Sequence, residues 1–232
     1  MLKALLTDID GTITDSSRRI HTGSIETIRS LVDEGIIVVL ASGNAPCFME
    51  ALSKMIGTQG TFIAENGGVI RVGYFGHLQV FGDQKTPCEA LAILQAHYRK
   101  KGKELELFSP TYRRADLAFA RTVPSTEVRE ILRDFPVQVI DTGYAIHLQS
   151  PGINKGTALM ELSVQLGIAP DEFLAIGDSV NDIHMIRTAG IGLTVANAHP
   201  ETKAAAAYVA EKEFGDGFVE AVKKYSSYFR AR

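Results

Sequence analysis

Hydrophobic and polar positions follow two regimes along this chain. At the start, short apolar runs alternate with stretches of helical period. "KALLTD" (3–8) is an apolar strand ending in acid. "SIETIRSLVDEG" sets Ile25, Ile28, Leu31 and Val32 on one helical face and stops at Gly35. "IIVVLAS" (36–42) is a continuous β-branched run, as a strand covered on both faces requires. "PCFMEALSKMIG" predicts a second helix, "TFIAENGG" a third strand with a turn after it, and "GGVIRVGYFGHLQVFG" a hairpin. From about Gln84 to Ser150 the order changes to helix (87–102), strands "ELELF" and "DLAFAR", helix "PSTEVREILRDF", and strands "VQVID" and "AIHLQ". After "SPGINKG" the alternation returns: helix, "EFLAIGD" strand, "NDIHMIRTAG" helix, "IGLTVA" strand, short helix "PETKAAA", short strand "YVA", final helix "DGFVEAVKKYSSYF". The pattern predicts an α/β fold: a doubly wound parallel-sheet, Rossmann-like core of residues 1–82 and 152–232, and a small inserted α+β cap of residues 83–151.

Charge narrows the partners. The net charge of −3 carries no broad basic field, so neither nucleic acid nor a membrane surface is an expected partner. Two scattered cysteines, Cys47 and Cys88, do not make a disulfide framework, and a reducing cytoplasm is expected. The longest apolar run, Ile36 to Ala41, is far short of the roughly 20 residues that span a bilayer. The N-terminus meets acid too early for a signal peptide.

In open α/β sheets ligands bind at the carboxyl ends of the strands. There this sequence puts Asp8 and Asp10, then Ser42, Gly43 and Asn44, then Asp178 with Asn181 and Asp182 just after it. Lys155 opens the helix that follows the insertion. Clustered carboxylates repel, and a fold accepts them where a cation joins them or one reacts. An all-oxygen set suits Mg²⁺ together with a phosphate. A Ser hydroxyl and a Lys ammonium hold phosphoryl oxygens, and a carboxylate can be a nucleophile. Asp10, two residues after Asp8, falls on the same side of an extended strand and can work as acid and base.

"DIDGT" (8–12), "SGN" (42–44), "NKG" (154–156) and "GDSVND" (177–182) resemble, in order, the four motifs of the haloacid dehalogenase (HAD) superfamily. The insertion between the second and third motifs resembles the Cof-type branch of its phosphatases, and "ASGN" is most like the archaeal-type phosphoglycolate phosphatases. The resemblance implies a Mg²⁺-dependent phosphomonoesterase working through an aspartyl-phosphate. Asp8 would be the nucleophile. Asp10 would be the acid/base and would lend its backbone carbonyl to the metal. Ser42 and Lys155 would hold the phosphoryl group, with Thr12, Gly43 and Asn44 as further phosphate contacts. Asp178 and Asp182 would ligate the metal beside Asp8, and Asn181 would support them. Asn44 stands where relatives often carry Arg, so a charge-based substrate contact is lost there. Phosphoglycolate is the first substrate expectation and small sugar phosphates the second. A phosphomutase and a non-catalytic phosphate binder are the alternatives.

Other residues read as structural. Ser42 doubles as a cap for the helix after it. Asp182 has the further option of serving only its helix dipole. Cys47 is expected to be a buried packing residue, and His184 structural or exposed. Asp15 is given no chemistry. "YRRAD" and His147 in the insertion are expected on a solvated charged face, with contact to a substrate carboxylate or sugar as the alternative. "AAAA" (204–207) reads as helix filler, and the tail "YSSYF" as packing or a homodimer contact.

Overall fold

The computed structural model describes residues 1–230. Strands β1 (Ala4–Asp8), β2 (Ile37–Ala41), β3 (Phe62–Ala64), β4 (Val69–Arg71) and β5 (Gln79–Val80) come first, with helices α1 (Thr22–Asp33) and α2 (Pro46–Ile56) between them. Next come α3 (Lys85–Lys100), β6 (Asp116–Ala120), α4 (Ser125–Ile131), β7 (Gln138–Asp141) and β8 (Ala145–Gln149). The chain continues with α5 (Lys155–Leu166), β9 (Phe173–Gly177), α6 (Ile183–Thr188), β10 (Ile191–Thr194), α7 (Pro200–Ala205), β11 (Tyr208–Val209) and α8 (Phe214–Tyr225).

Eight strands form one sheet in the order β11-β10-β9-β1-β2-β3-β4-β5. It is parallel from β11 to β3, and the expected hairpin adds β4 and β5 antiparallel at one edge. Its central strands are continuous apolar runs because both faces are covered. Leu5, Val38, Leu40, Leu174 and Ile176 pack with Ile28, Leu31, Phe218 and Val222 of α1 and α8. Their neighbours Leu6, Val39, Ala41, Phe173 and Ala175 pack on the opposite face with Leu159, Leu162 and Met185 of α5 and α6. The pleat thus splits one unbroken apolar run between two cores.

The residues between β5 and α5 build a second, three-stranded antiparallel sheet, β6-β8-β7. Leu117, Phe119, Ile146 and Leu148 on one of its faces pack with Ala90, Leu94 and Tyr98 of α3 and Val128 of α4. The alternate residues Asp116, Ala118, His147 and Gln149 fall on the other face, paired Asp116 with Gln149 and Ala118 with His147. The chain leaves and re-enters the large sheet side by side. Asp83 N–H donates to Ser150 Oγ at 3.3 Å. A side chain on Gly82 would stand 2.6 Å from Ile153 Cδ1 and 2.8 Å from Ser150 Oγ.

Some expectations change. "ELELF" is no full strand; it lies along β6 through a single bridge, Leu107 with Phe119, and two backbone hydrogen bonds. Ala206 and Ala207 lie beyond α7, and the last helix ends at Tyr225, before a 3₁₀ turn. The aromatic tail packs: Tyr225 tilts against Tyr208 and Tyr228, and buried Phe229 bridges to Leu2. No helix among the described residues is long and apolar enough to cross a membrane.

Candidate active site

Register brings the chemistry together. Asp8 pairs with Ala41 and Thr7 with Ile176, so β1, β2 and β9 end at one level. Asp8, Ser42 and Asp178 therefore follow from three adjacent strand ends. Lys155 starts α5, whose N-terminus is fixed by an Asn154–Thr157 capping box. The Lys155 ammonium is fully buried and donates to Asp8 Oδ1 at 2.5 Å and to Asp182 Oδ1 at 2.6 Å.

Asp8, Asp178 and Asp182 present ligand oxygens within 4.8 Å of one another. Each has a different hold. Asp178 Oδ1 accepts the Thr12 hydroxyl at 3.0 Å. Asp182 Oδ2 accepts the backbone N–H groups of Asp178 and Ser179, and its Oδ1 is taken by Lys155. Gly11 and Gly177 make room for this. A side chain on Gly11 (φ +94°) would lie 2.3 Å from Asp178 Oδ2, and one on Gly177 would lie 2.5 Å from Asp182 Cγ. Three carboxylates and one ammonium leave an excess of negative charge. Burial, then repulsion from Asp182, hold the Asp8 carboxyl well above its usual range despite Lys155. Burial and Asp182 likewise push Asp178 up to about 7. Burial pulls Lys155 down, but Asp182 and Asp8 more than offset it and keep the ammonium above its ordinary range. A buried, all-oxygen, over-negative cluster is the donor chemistry of a hard divalent cation.

Asp10 lies outside this cluster. Its Oδ1 accepts from Arg18 Nε (3.0 Å) and Nη2 (2.9 Å), and its Oδ2 from Asn44 Nδ2 (3.2 Å). Asn44 also donates to Ser42 Oγ, from its backbone at 3.1 Å and from Nδ2 at 2.9 Å. In place of an arginine, this chain therefore has a neutral bridge between Ser42 and Asp10. Ser42 does not cap α2: the position before that helix is Ala45, with no side-chain cap. Thr12 is fully buried and turned to Asp178. Asn181 Nδ2 donates to Asn66 Oδ1 at 2.9 Å. A side chain on Gly43 would meet the Asn66 amide and His147 Cε1, each at 3.1 Å.

A cavity of about 360 Å³ lies over these groups, with Asp8, Asp10, Ser42, Gly43 and Asn44 on one wall. Arg113, Tyr144 and His147, from the β6-β8-β7 unit, line the other. The expectation of a solvated charged face fails there. Tyr112 and Arg114 are exposed, but Arg113, Asp116 and His147 are buried. Asp116 accepts from Arg113 Nη1 at 2.6 Å and from His147 Nδ1 at 2.8 Å. Arg113 Nη1 also reaches the Gly43 carbonyl at 3.1 Å. Burial pushes Asp116 up, but the His147 hydrogen bond and the Arg113 charge outweigh it and hold this carboxyl below its ordinary range. Cys47 is exposed and lines the cavity, because the first turn of α2 faces it. Asp15 pairs with Arg19 away from the site, and His184 is exposed as expected.

Sequence reasoning missed Arg18, Glu65 and Asn66, and ranked a substrate contact for Arg113, Asp116 and His147 below a solvated face. Glu65 and Asn66 follow β3 in the left-handed region (φ +50° and +54°), costly for residues with side chains and typical of functional turns. The turn carries the Glu65 carboxylate to the backbone N–H groups of Arg114, Ala115 and Asp116, at 2.7 to 3.1 Å. Burial and the Asp116 charge push Glu65 up to about 7, against those three donors.

The haloacid dehalogenase-like hydrolase family matches residues 5–112 and 121–222. The chain belongs to this family. A protein of Methanoculleus marisnigri named phosphoglycolate phosphatase is 57% identical over the full length of both chains. One of the same name from Methanospirillum hungatei is 50% identical, again over both full lengths. Among solved structures, a Thermoplasma acidophilum protein superposes with a TM-score of 0.86 at 28% identity, covering 97% of this chain and 99% of its own. A haloacid dehalogenase-like hydrolase of Bacteroides thetaiotaomicron shares the fold at TM-score 0.80 and 22% identity, covering 97% and 99%.

Proposed function

We propose that the chain is a phosphoglycolate phosphatase, hydrolysing this small phosphomonoester through an aspartyl-phosphate on Asp8. The observation that carries the reading is Asp8 itself: a carboxylate at a strand end on the wall of a cavity, its Oδ1 held by buried Lys155. The full-length likeness to proteins named for that activity supports the substrate.

Lys155 holds Oδ1 of Asp8, which leaves its other oxygen to act as the nucleophile. Asp8 attacks phosphorus, and the ester P–O bond breaks. Asp10, steered by Arg18 and Asn44, gives its proton to the departing alcohol oxygen. It then takes a proton from the water that attacks the aspartyl-phosphate, returning Asp8 and releasing phosphate. Ser42 Oγ accepts two hydrogen bonds from Asn44, which leaves its proton free for a phosphoryl oxygen. Asp8 and Asp178, with the Asp10 carbonyl, would hold Mg²⁺; Asp182, both oxygens engaged, orients Lys155 and the loop. When bound, the cation screens the charge between Asp8 and an incoming phosphate dianion. Residues 83–151 act as a cap that shelters the cavity from water.

The test is phosphate release from phosphoglycolate with Mg²⁺ and with excess chelator. Release that needs the metal is expected. No release from phosphoglycolate or from a hexose phosphate, with or without metal, would overturn the reading.

A further inference from the structure

The wall of the cavity opposite the nucleophile is built of charge. His147 is almost wholly buried, and its Nδ1 is committed to Asp116, which stays ionised and can only accept; Nδ1 therefore carries the proton. Nε2 makes no hydrogen bond to the described residues, and the ring lines the cavity. Packing does not account for this. The Arg113–Asp116 pair by itself links the β6-β8-β7 unit to the Gly43 carbonyl. What a carboxylate-anchored imidazole adds is a second ring nitrogen on the cavity wall, backed by Asp116 and Arg113.

Arg18 supplies a permanent charge to the same cavity. Its guanidinium stacks 4.3 Å over the ring of Tyr144, which precedes β8 and lies three residues from His147. Arg18 adopts φ +63°, a left-handed conformation unfavourable for arginine, so the loop is bent to bring it there. Nε and Nη2 already grip a carboxylate, that of Asp10, and Nη1 makes no hydrogen bond to the described residues. A guanidinium fork matches a planar carboxylate better than a tetrahedral phosphoryl group, whose proposed place lies at Asp8 and Ser42.

We propose that Arg18 and His147 form a second anion pole that selects phosphomonoesters bearing a carboxylate on the alcohol part, with Asp116 and Arg113 aiming the imidazole. The inference rests on the phosphatase reading and names the residues that choose its substrate. A cavity of about 360 Å³ has room for a small ester of this kind. With the phosphoryl group at Asp8, the carboxylate of such an ester reaches across the cavity to Nη1 of Arg18 and Nε2 of His147. Tyr144 holds the guanidinium level between Asp10 and the incoming group.

Steady-state phosphate release from phosphoglycolate and from its neutral isostere phosphoglycolamide tests this in the wild type, Arg18→Gln, Arg18→Lys and His147→Gln. The readout is the ratio of kcat/KM for acid over amide, which a general loss of fold or rate does not move. The wild type is expected to favour the acid by well over about tenfold, as one or two charge-assisted hydrogen bonds give. Arg18→Gln and His147→Gln each lower the ratio about tenfold, mainly through KM for the acid, and Arg18→Lys retains part of it. A ratio unchanged in either glutamine variant, or a wild-type ratio near one, overturns the pole and leaves the phosphatase reading standing. A wild type that hydrolyses neither ester overturns the phosphatase reading, and the pole with it.

Discussion

Two buried ion clusters face each other across one cavity, and they are balanced in opposite ways. On the large sheet, Asp8, Asp178 and Asp182 share a single ammonium. On the small sheet, one carboxylate, Asp116, has both Arg113 and His147 as partners. The first cluster is left in deficit, and its Asp8 and Asp178 are driven toward the neutral form. The second is satisfied, and Asp116 is driven the other way. Burial alone raises a carboxylate in both places, so the partners decide the sign. A cluster in deficit is ready to take up charge from outside. A satisfied one holds a shape.

One chemical edit, aspartate to asparagine, separates the two, and the largest effect falls on the first cluster. Asp8→Asn removes the proposed nucleophile, and turnover should fall at least about 10⁴-fold. The fold should not suffer. Asp8 is raised above its unfolded value, so its charged form costs stability once the pH exceeds that raised value. In chelator at alkaline pH the variant should melt at or above the wild-type temperature. A marked drop in melting temperature would mean that the Lys155 pair outweighs the crowding.

Asp116→Asn should do the reverse. It leaves the Arg113 guanidinium buried without a counter-charge, a loss of about 3 kcal/mol. Thermal melting at neutral pH should fall by several degrees, roughly the shift such a loss gives a chain of this length. Equal melting temperatures for wild type and variant would show that the second cluster is not an ion pair in solution.

The smallest expected effect lies at the joint between the clusters. Glu65 reaches from the large sheet to the first residues of β6, and its carboxyl is raised to about 7 by burial and by Asp116. A raised carboxyl contributes stability below its unfolded value of 4.5, and that contribution is lost as the pH climbs toward about 7. The wild-type melting temperature, measured against Glu65→Gln, should therefore decline across that window. A flat difference would show that the three N–H donors hold Glu65 ionised throughout.

The same contrast explains what the sequence disclosed. The alternation of strand and helix, and the acids at strand ends, are local signals, and one sheet with one register suffices to unite them. Asp8, Ser42, Lys155, Asp178 and Asp182 were legible because each ends a strand or opens a helix within a short motif. Arg113, Asp116 and His147 carry no such mark. Asp116 and His147 are 31 residues apart and meet only through the antiparallel register of β6 and β8. From the chain alone, a charged stretch such as "YRRAD" gives no sign that Arg113, Ala115 and Asp116 turn inward. Cys47 misled for a similar reason: its small apolar character suggests a core, but the first turn of α2 opens onto the cavity. Glu65 and Asn66 were hidden in a turn whose left-handed backbone their residue types do not announce.

The side-by-side crossing at Gly82 and Ser150 has a consequence for how such a molecule can diversify. The chain enters and leaves the stretch from Asp83 to Gln149 through one narrow doorway. The distance between the two jambs is short and fixed by the large sheet, so any closed unit with neighbouring ends fits the same opening. Grafting and recombination at that point exchange one half of the cavity and leave the acid cluster as it was. New preferences can then be tried on without rebuilding the chemistry beneath them.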